Sequence, residues 1–163
     1  MRIIAILSLF ILFPLSSCSQ NEKGEKAPEI ELKTIDNQDF KLSDLQGTVV
    51  LLDFWATWCA PCVKEQPELI ELYEEINAKK KKRKFEIVGI SLDNKFEDWK
   101  RGVETLKIPW TQVSDLMFWQ SPVAADYNLQ SLPFNLLLDE EGYIIAENLH
   151  GEELRKAVLK AIQ

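Results

Sequence analysis

The chain has 163 residues, 46% of them hydrophobic and 28% charged, which is enough for one domain with a real core plus a short appendage. Nineteen Lys and Arg against 26 Asp and Glu give a net charge of -7, and that balance argues against nucleic acid as the main partner. The CxxC pair Cys59 and Cys62 is not half of a conventional zinc site, because the only other Cys and His are Cys18 and His150.

Residues 1–18 do not belong to the fold. Arg2 supplies a short positive end, residues 3–13 (IIAILSLFILF) are apolar but too short for a comfortable membrane span, and small residues follow, which is the form of a secretion signal. Leu15-Ser16-Ser17-Cys18 resembles the bacterial lipobox, whose Cys is diacylated and becomes the mature N-terminus. The alternatives are an ordinary signal peptide with Cys18 incidental, or an uncleaved helix acting as an anchor. Lipidation at Cys18 leaves the exported protein with an even pair of thiols in an oxidising compartment. Residues 19–27 (SQNEKGEKA) are polar, lack aromatic and β-branched side chains, and read as a flexible tether ahead of a single domain over 28–163.

Residues 29–33 and 39–42 are extended candidates around the turn Asp36-Asn37-Gln38, so an N-terminal hairpin is predicted. Residues 43–47 look like a helical turn closed by Gly47. The run 48–55 (TVVLLDFW) is almost continuously apolar, as a strand covered on both faces must be. From Cys59 the period changes: Leu69, Leu72, Tyr73 and Ile76 form one face of a helix, with a kink expected at Pro67 and six cations (79–84, KKKKRK) at its C-terminal end. That run is a solvated face or a contact for anionic lipid.

Residues 85–92 (FEIVGISL) are the next strand, and strand, helix, strand in that order make a right-handed crossover between parallel neighbours. Asp93-Asn94 is expected to cap a helix with Phe96, Trp99, Val103 and Leu106 on one stripe, followed by an extended segment at 109–113. Ser121-Pro122 opens a short helix to about Tyr127. Residues 134–138 and 143–148 form a hairpin around the turn 139–142, and Leu154, Ala157, Val158, Ala161 and Ile162 complete an amphipathic C-terminal helix.

The chemistry gathers at Trp58-Cys59-Ala60-Pro61-Cys62. A helix starting between the cysteines sets Cys59 just ahead of unpaired backbone N–H groups and the positive end of the macrodipole, which favours a thiolate. Pro61 suits a first helical turn, where its missing N–H is no loss. The pair can close to a disulfide or open to a dithiol. Topology sets the motif beyond the carboxyl ends of the parallel strands, where sites of such sheets lie.

With the run from Leu51 to Cys62, the internal Pro67 and the late Pro133, the chain resembles the thioredoxin fold. That implies an α/β, three-layer domain with a central mixed sheet and helices on both faces. The signal, the tether, the N-terminal hairpin and the extra helix and strand at 95–113 resemble more narrowly the TlpA/ResA-like branch, membrane-tethered thiol-disulfide oxidoreductases of the bacterial envelope. The resemblance implies that Cys59 attacks and Cys62 resolves the mixed disulfide. It also implies that Pro133 follows a cis bond beside the dithiol, leaving the backbone of Leu132 to pair with a substrate strand. Asp53 matches the buried carboxylate of thioredoxin, and Glu65 the acidic residue that ResA-like members carry three positions after the second cysteine. Phe134-Asn135 departs from the small polar residue usual after the proline.

Resolution requires the Cys62 thiolate, and a carboxylate whose pKa is raised by an apolar surround can take its proton. Asp53 is the first candidate, since charge within TVVLLDFW is costly without a role; the alternative is a strand end bent to water. Glu65 is the second, and its alternative is an exposed first-turn Glu serving the dipole. Trp58 stands beside the thiol as packing or as a substrate contact, while Trp99, Trp110 and Trp119 read as core or surface packing. The segment 115–119 (DLMFW) either lines a substrate groove or covers the sheet. His150 is assigned nothing.

The expected activity is disulfide reduction on exported protein thiols, an apocytochrome before haem attachment being one example. The expected partners are protein thiols and disulfides and a membrane-embedded electron donor, the domain being monomeric and its only redox group the Cys59–Cys62 pair. Two other classes stay open. A peroxiredoxin-like thiol peroxidase places a Thr two residues before its reactive cysteine, as Thr57 stands here, but lacks a resolving Cys at this spacing. A copper carrier would use the same two thiols.

Overall fold

The computed structural model describes residues 24–78 and 84–163. The expected signal and lipidated Cys18, and all of the cationic run but Lys84, lie outside the described residues; Lys84 itself opens a strand rather than closing the helix.

Seven strands form one mixed sheet: β1 Glu31–Thr34, β2 Asp39–Lys41, β3 Thr48–Trp55, β4 Lys84–Ser91, β5 Thr111–Ser114, β6 Phe134–Leu138 and β7 Ile144–Glu147. Their spatial order is β2-β1-β5-β4-β3-β6-β7. Strand β3 is central, parallel to β4 and antiparallel to β6, and every residue from Val49 to Trp55 is buried. Its almost continuously apolar run follows from that position, because both faces and both edges are covered.

Helix α1 (Ala60–Ala78) links β3 to β4, and α2 (Phe96–Leu106) links β4 to β5, so two crossovers of one hand lay both helices on the same face. Helix α4 (Gly151–Ala161) joins them there, while the short α3 (Pro122–Asp126) leads to the other face. The alternation along β3 records this division. Asp53 meets Gln66 of α1, whereas Phe54 points the opposite way and packs its ring 5.2 Å from that of Tyr127. The helix α1 runs through Pro67 and buries Leu69, Leu72 and Ile76, each worth about 1.5–3 kcal/mol of apolar transfer.

Three sequence expectations need correction. Residues 24–27 are not free tether: the Ala27 N–H donates to the Gly142 carbonyl at 3.0 Å, the Ile144 N–H donates to the Glu25 carbonyl at 2.9 Å, and Lys26 bridges Tyr143. An outer strand offers unpaired N–H and C=O groups, and the backbone of 24–27 satisfies some of them whatever its side chains. Glycine is required at 24, since a Cβ there would lie 2.0 Å from the Ile144 carbonyl oxygen. Next, Asp93 does not cap α2. The N-cap is Lys95, with no side-chain cap bond, and the Asp93 carboxylate turns inward to the site. Finally, Trp99 is the buried member of the α2 stripe, whereas Phe96 in its first turn is 37% exposed.

Candidate active site

The end of β3 and the start of α1 build the dithiol site. The Cys59 N–H donates to the Ala56 carbonyl at 3.1 Å, and the Val63 N–H donates to the Cys59 carbonyl at 3.0 Å, closing the first helical turn around the motif. Cys59 and Cys62 are joined by a disulfide with a Cα–Cα distance of 5.3 Å. The Cys62 N–H points at the Cys59 sulfur from 3.3 Å, the backbone donor that a helix start aims at a thiolate once the bond opens. Cys59 is 6% exposed and Cys62 only 1%, so an incoming disulfide meets Cys59 first.

Asp53 is 3% exposed and bonds to Gln66, one turn after Cys62 on α1. Burial raises its pKa from 3.8 to about 7; the Gln66 amide, donating at 2.9 Å, works against that rise, as does the His150 charge, while the Glu65 charge adds to it. The strand end does not bend to water. Gln66 is itself buried, and its Oε1 finds no partner among the described residues. Protonated Asp53 can supply a donor to that oxygen if the amide turns over, so the pair suits the neutral carboxyl as well as the anion.

Glu65, from the same turn of α1, is not an exposed dipole residue. Its side chain is 13% exposed and its Oε1 lies 2.7 Å from Nδ1 of His150, the residue to which sequence reasoning gave no role. No periodicity or motif links positions 65 and 150; the contact exists because α4 docks beside α1. His150 Nε2 also meets Asn148 Oδ1 at 3.2 Å.

The Leu132-Pro133 bond is cis. Phe134 pairs with Phe54 across the antiparallel β3/β6 ladder, so Pro133 falls beside the end of β3 that leads into the motif. Asn135, opposite Asp53, is buried and holds the 148–150 loop: its Nδ2 donates to the Leu149 carbonyl at 2.6 Å and its Oδ1 accepts the Leu149 N–H at 3.2 Å. Phe134 sets its ring 6.1 Å from that of Phe54. The two residues that depart from the small polar pattern therefore anchor the interior.

Asp93, also missed, secures the other flank. From the end of β4 it is 2% exposed and accepts from the Thr57 N–H at 3.1 Å, the Thr57 hydroxyl at 2.5 Å and the Ser91 hydroxyl at 2.7 Å. This fixes Thr57, two residues ahead of Cys59. Behind Thr57, Gly102 of α2 leaves no room for a side chain: a Cβ would lie 2.4 Å from Thr57 Cγ2. Gly102→Ala is accordingly expected to destabilise the fold by about 1–3 kcal/mol, read as a lowered urea midpoint. An unchanged midpoint would mean that Thr57 is loosely held.

Trp58 is 46% exposed and forms an aromatic patch with Phe118 and Trp119, ring centroids 5.1 and 6.3 Å away. Trp119 is thus packed at the surface, and the 115–119 segment borders the site instead of covering the sheet. Asp115 ties this segment down, accepting from the Met117 N–H at 2.9 Å and the Ser121 hydroxyl at 2.6 Å.

A parallel crossover with a CxxC disulfide at a helix N-terminus, a buried carboxyl bonded to that helix and a cis proline beside the end of the strand that leads into it defines a thioredoxin-fold thiol-disulfide oxidoreductase. Residues 23–147 match the AhpC/TSA family, and the chain belongs to that family. It is 32% identical over 135 residues to the thioredoxin-like protein YneN of Bacillus subtilis, covering 83% of this chain and 75% of YneN. To the thiol-disulfide oxidoreductase ResA of Bacillus cereus it is 31% identical over 141 residues, 82% of this chain and 72% of ResA. Among solved structures it resembles the thioredoxin domain of a thiol-disulfide oxidoreductase from Bacteroides vulgatus, with TM-score 0.78, 34% identity, and coverage of 86% and 98% of the two chains.

Proposed function

We propose that the protein is a membrane-tethered reductase of disulfides in exported proteins, working on the outer side of a membrane to which a lipid on Cys18 holds it. The observation that carries the catalytic part is the more accessible Cys59 disulfide-bonded to buried Cys62, with the buried Asp53 carboxyl bonded to Gln66 one turn further along the same helix.

In the reduced protein the Cys59 thiolate attacks one sulfur of a substrate disulfide, forming a mixed disulfide and releasing the other substrate sulfur as a thiolate. Asp53 accepts the Cys62 proton, and the Cys62 thiolate attacks the Cys59 sulfur. The Cys59–Cys62 disulfide forms and the second substrate thiolate leaves. Two electrons pass from the dithiol to the substrate, and a membrane-embedded dithiol donor restores them. Trp58 and the backbone of Leu132 beside Pro133 receive the substrate chain, for which an apocytochrome with its haem-binding cysteines oxidised is a suitable example. Peroxide reduction is less favoured, because the Thr57 hydroxyl that such chemistry would use is donated to Asp93.

The full chain in detergent, kept reduced by dithiothreitol, is expected to accelerate insulin reduction. Cys59→Ser should return the rate to that of dithiothreitol alone, and Cys62→Ser should accumulate a mixed disulfide on Cys59, visible by mass. Equal rates for wild type and Cys59→Ser would overturn the reading. Stoichiometric copper(I) binding without insulin reduction would replace it with the carrier.

A further inference from the structure

We propose that His150 is a positioning residue for the proton transfer that frees Cys62: held against Glu65, its charge sets how readily Asp53 takes up a proton. The inference deepens the function proposed above and rests on it.

Two elements hold His150 in place. Asn135, directly across the ladder from Asp53, clamps both backbone groups of Leu149, and the Asn148 N–H donates to the Asn135 carbonyl at 2.7 Å. This loop delivers His150 to the N-cap of α4, where its carbonyl accepts from the Glu153 N–H at 3.2 Å. Glu65 reaches it from α1 at 2.7 Å, and the neighbouring Gln66 bonds Asp53 at 2.9 Å. The acid is thus linked by one strand ladder to the loop that holds the imidazole, and by one helical turn to the imidazole's partner.

Imidazole is the side chain whose charge ordinarily changes near neutrality. Protonated, His150 neutralises Glu65 and leaves Asp53 facing no net charge from that direction. Neutral, it leaves Glu65 as an unopposed anion that holds the proton on Asp53. The charged groups around His150 are Glu65, with which it pairs at 2.7 Å, Glu152 and Glu153 in the first turn of its own helix α4, and, lining one groove together with Glu65, Glu68 and Glu71 from α1 and Arg155, whose guanidinium is paired with Glu75. With Arg155 taken up by Glu75 of α1, His150 is the side chain that meets the Glu65 carboxylate, and it is itself 41% exposed.

The test is a carboxyl carbon-13 titration of Asp53 in the full chain, oxidised and reduced, the resonance assigned by its loss in Asp53→Asn. His150→Gln is expected to raise the Asp53 midpoint by about half a pH unit, as expected for losing one charge across a partly screened path. His150→Arg should keep it at or below the wild-type value, and Glu65→Gln should lower it. The acid limb of insulin reduction should move in the same directions. Identical midpoints in wild type and His150→Gln would overturn the proposal, as would equal shifts in His150→Gln and His150→Arg, which would mark a purely structural residue. If His150→Gln loses its near-ultraviolet tryptophan signal, the fall required of Glu65→Gln and the absence of a rise in His150→Arg decide the matter, and a rise in either would overturn the proposal. The titration is read without substrate, so a wild type inactive on insulin would strike the proposed function and leave the midpoints interpretable.

Discussion

Replacing Asp53 with Asn is expected to make the protein more stable and slower at once. The folded-state pKa of about 7 lies above the value of 3.8 usual for an exposed Asp. Between those limits the folded chain keeps a proton that the unfolded chain has released, so the unfolded state binds fewer protons and stability falls as pH rises. The loss is absent below about pH 4 and complete above about pH 7, where three pKa units correspond to about 4 kcal/mol. Asn carries no charge to desolvate, and its amide can donate to the unpartnered Gln66 Oε1. Urea unfolding should therefore show Asp53→Asn and wild type nearly equal at pH 4 and the variant ahead at pH 8. A constant gap across that range would mean that Asp53 titrates normally. Over the same interval insulin reduction by the variant should fall by about a hundredfold, the lower range for loss of a positioned proton acceptor.

The second large effect is expected at Asp93. This buried carboxylate meets neutral donors among the described residues: the Thr57 N–H and hydroxyl and the Ser91 hydroxyl. Asp93→Ala leaves those groups buried without their acceptor. Bonds to a charged group are worth about 1.5–3 kcal/mol each, and with partial rescue by water a loss of about 3 kcal/mol is expected. In a domain of this size that lowers Tm by about 10 °C. Asp93→Asn keeps one acceptor and should lose less. The same substitution frees the turn before Cys59, so alkylation of Cys59 in the reduced Asp93→Ala protein should change in rate relative to wild type. A Tm within a degree or two of wild type would show that Thr57 is held by something else.

The pairing of the two thiols, the central strand and the helix that starts between the cysteines were legible in the sequence because each is a local matter. An apolar run of eight residues, a change of period from two to 3.6, and a proline where a first helical turn tolerates it are all read within a short window. The carboxyl at 53 was legible for a related reason, being a charge embedded in an apolar strand. The 24–27 segment was not: its composition is that of a tether, and its order comes from an edge strand more than a hundred residues away in the chain. Asp93 misled because a cap residue and a buried acceptor look alike until the end of β4 is seen beside the end of β3.

What the chain determines by itself is the redox pair, its helix-start setting and the burial of Asp53, because spacing and hydrophobic pattern act between neighbours. What only the folded molecule decides is which distant side chains surround that pair: Asp93 behind Thr57, the aromatic residues Phe118 and Trp119 beside Trp58, and His150 against Glu65. Each of those contacts joins elements that the sheet order and helix docking bring together, and hydrogen bonds and charges across such joins leave no period in the sequence to announce them.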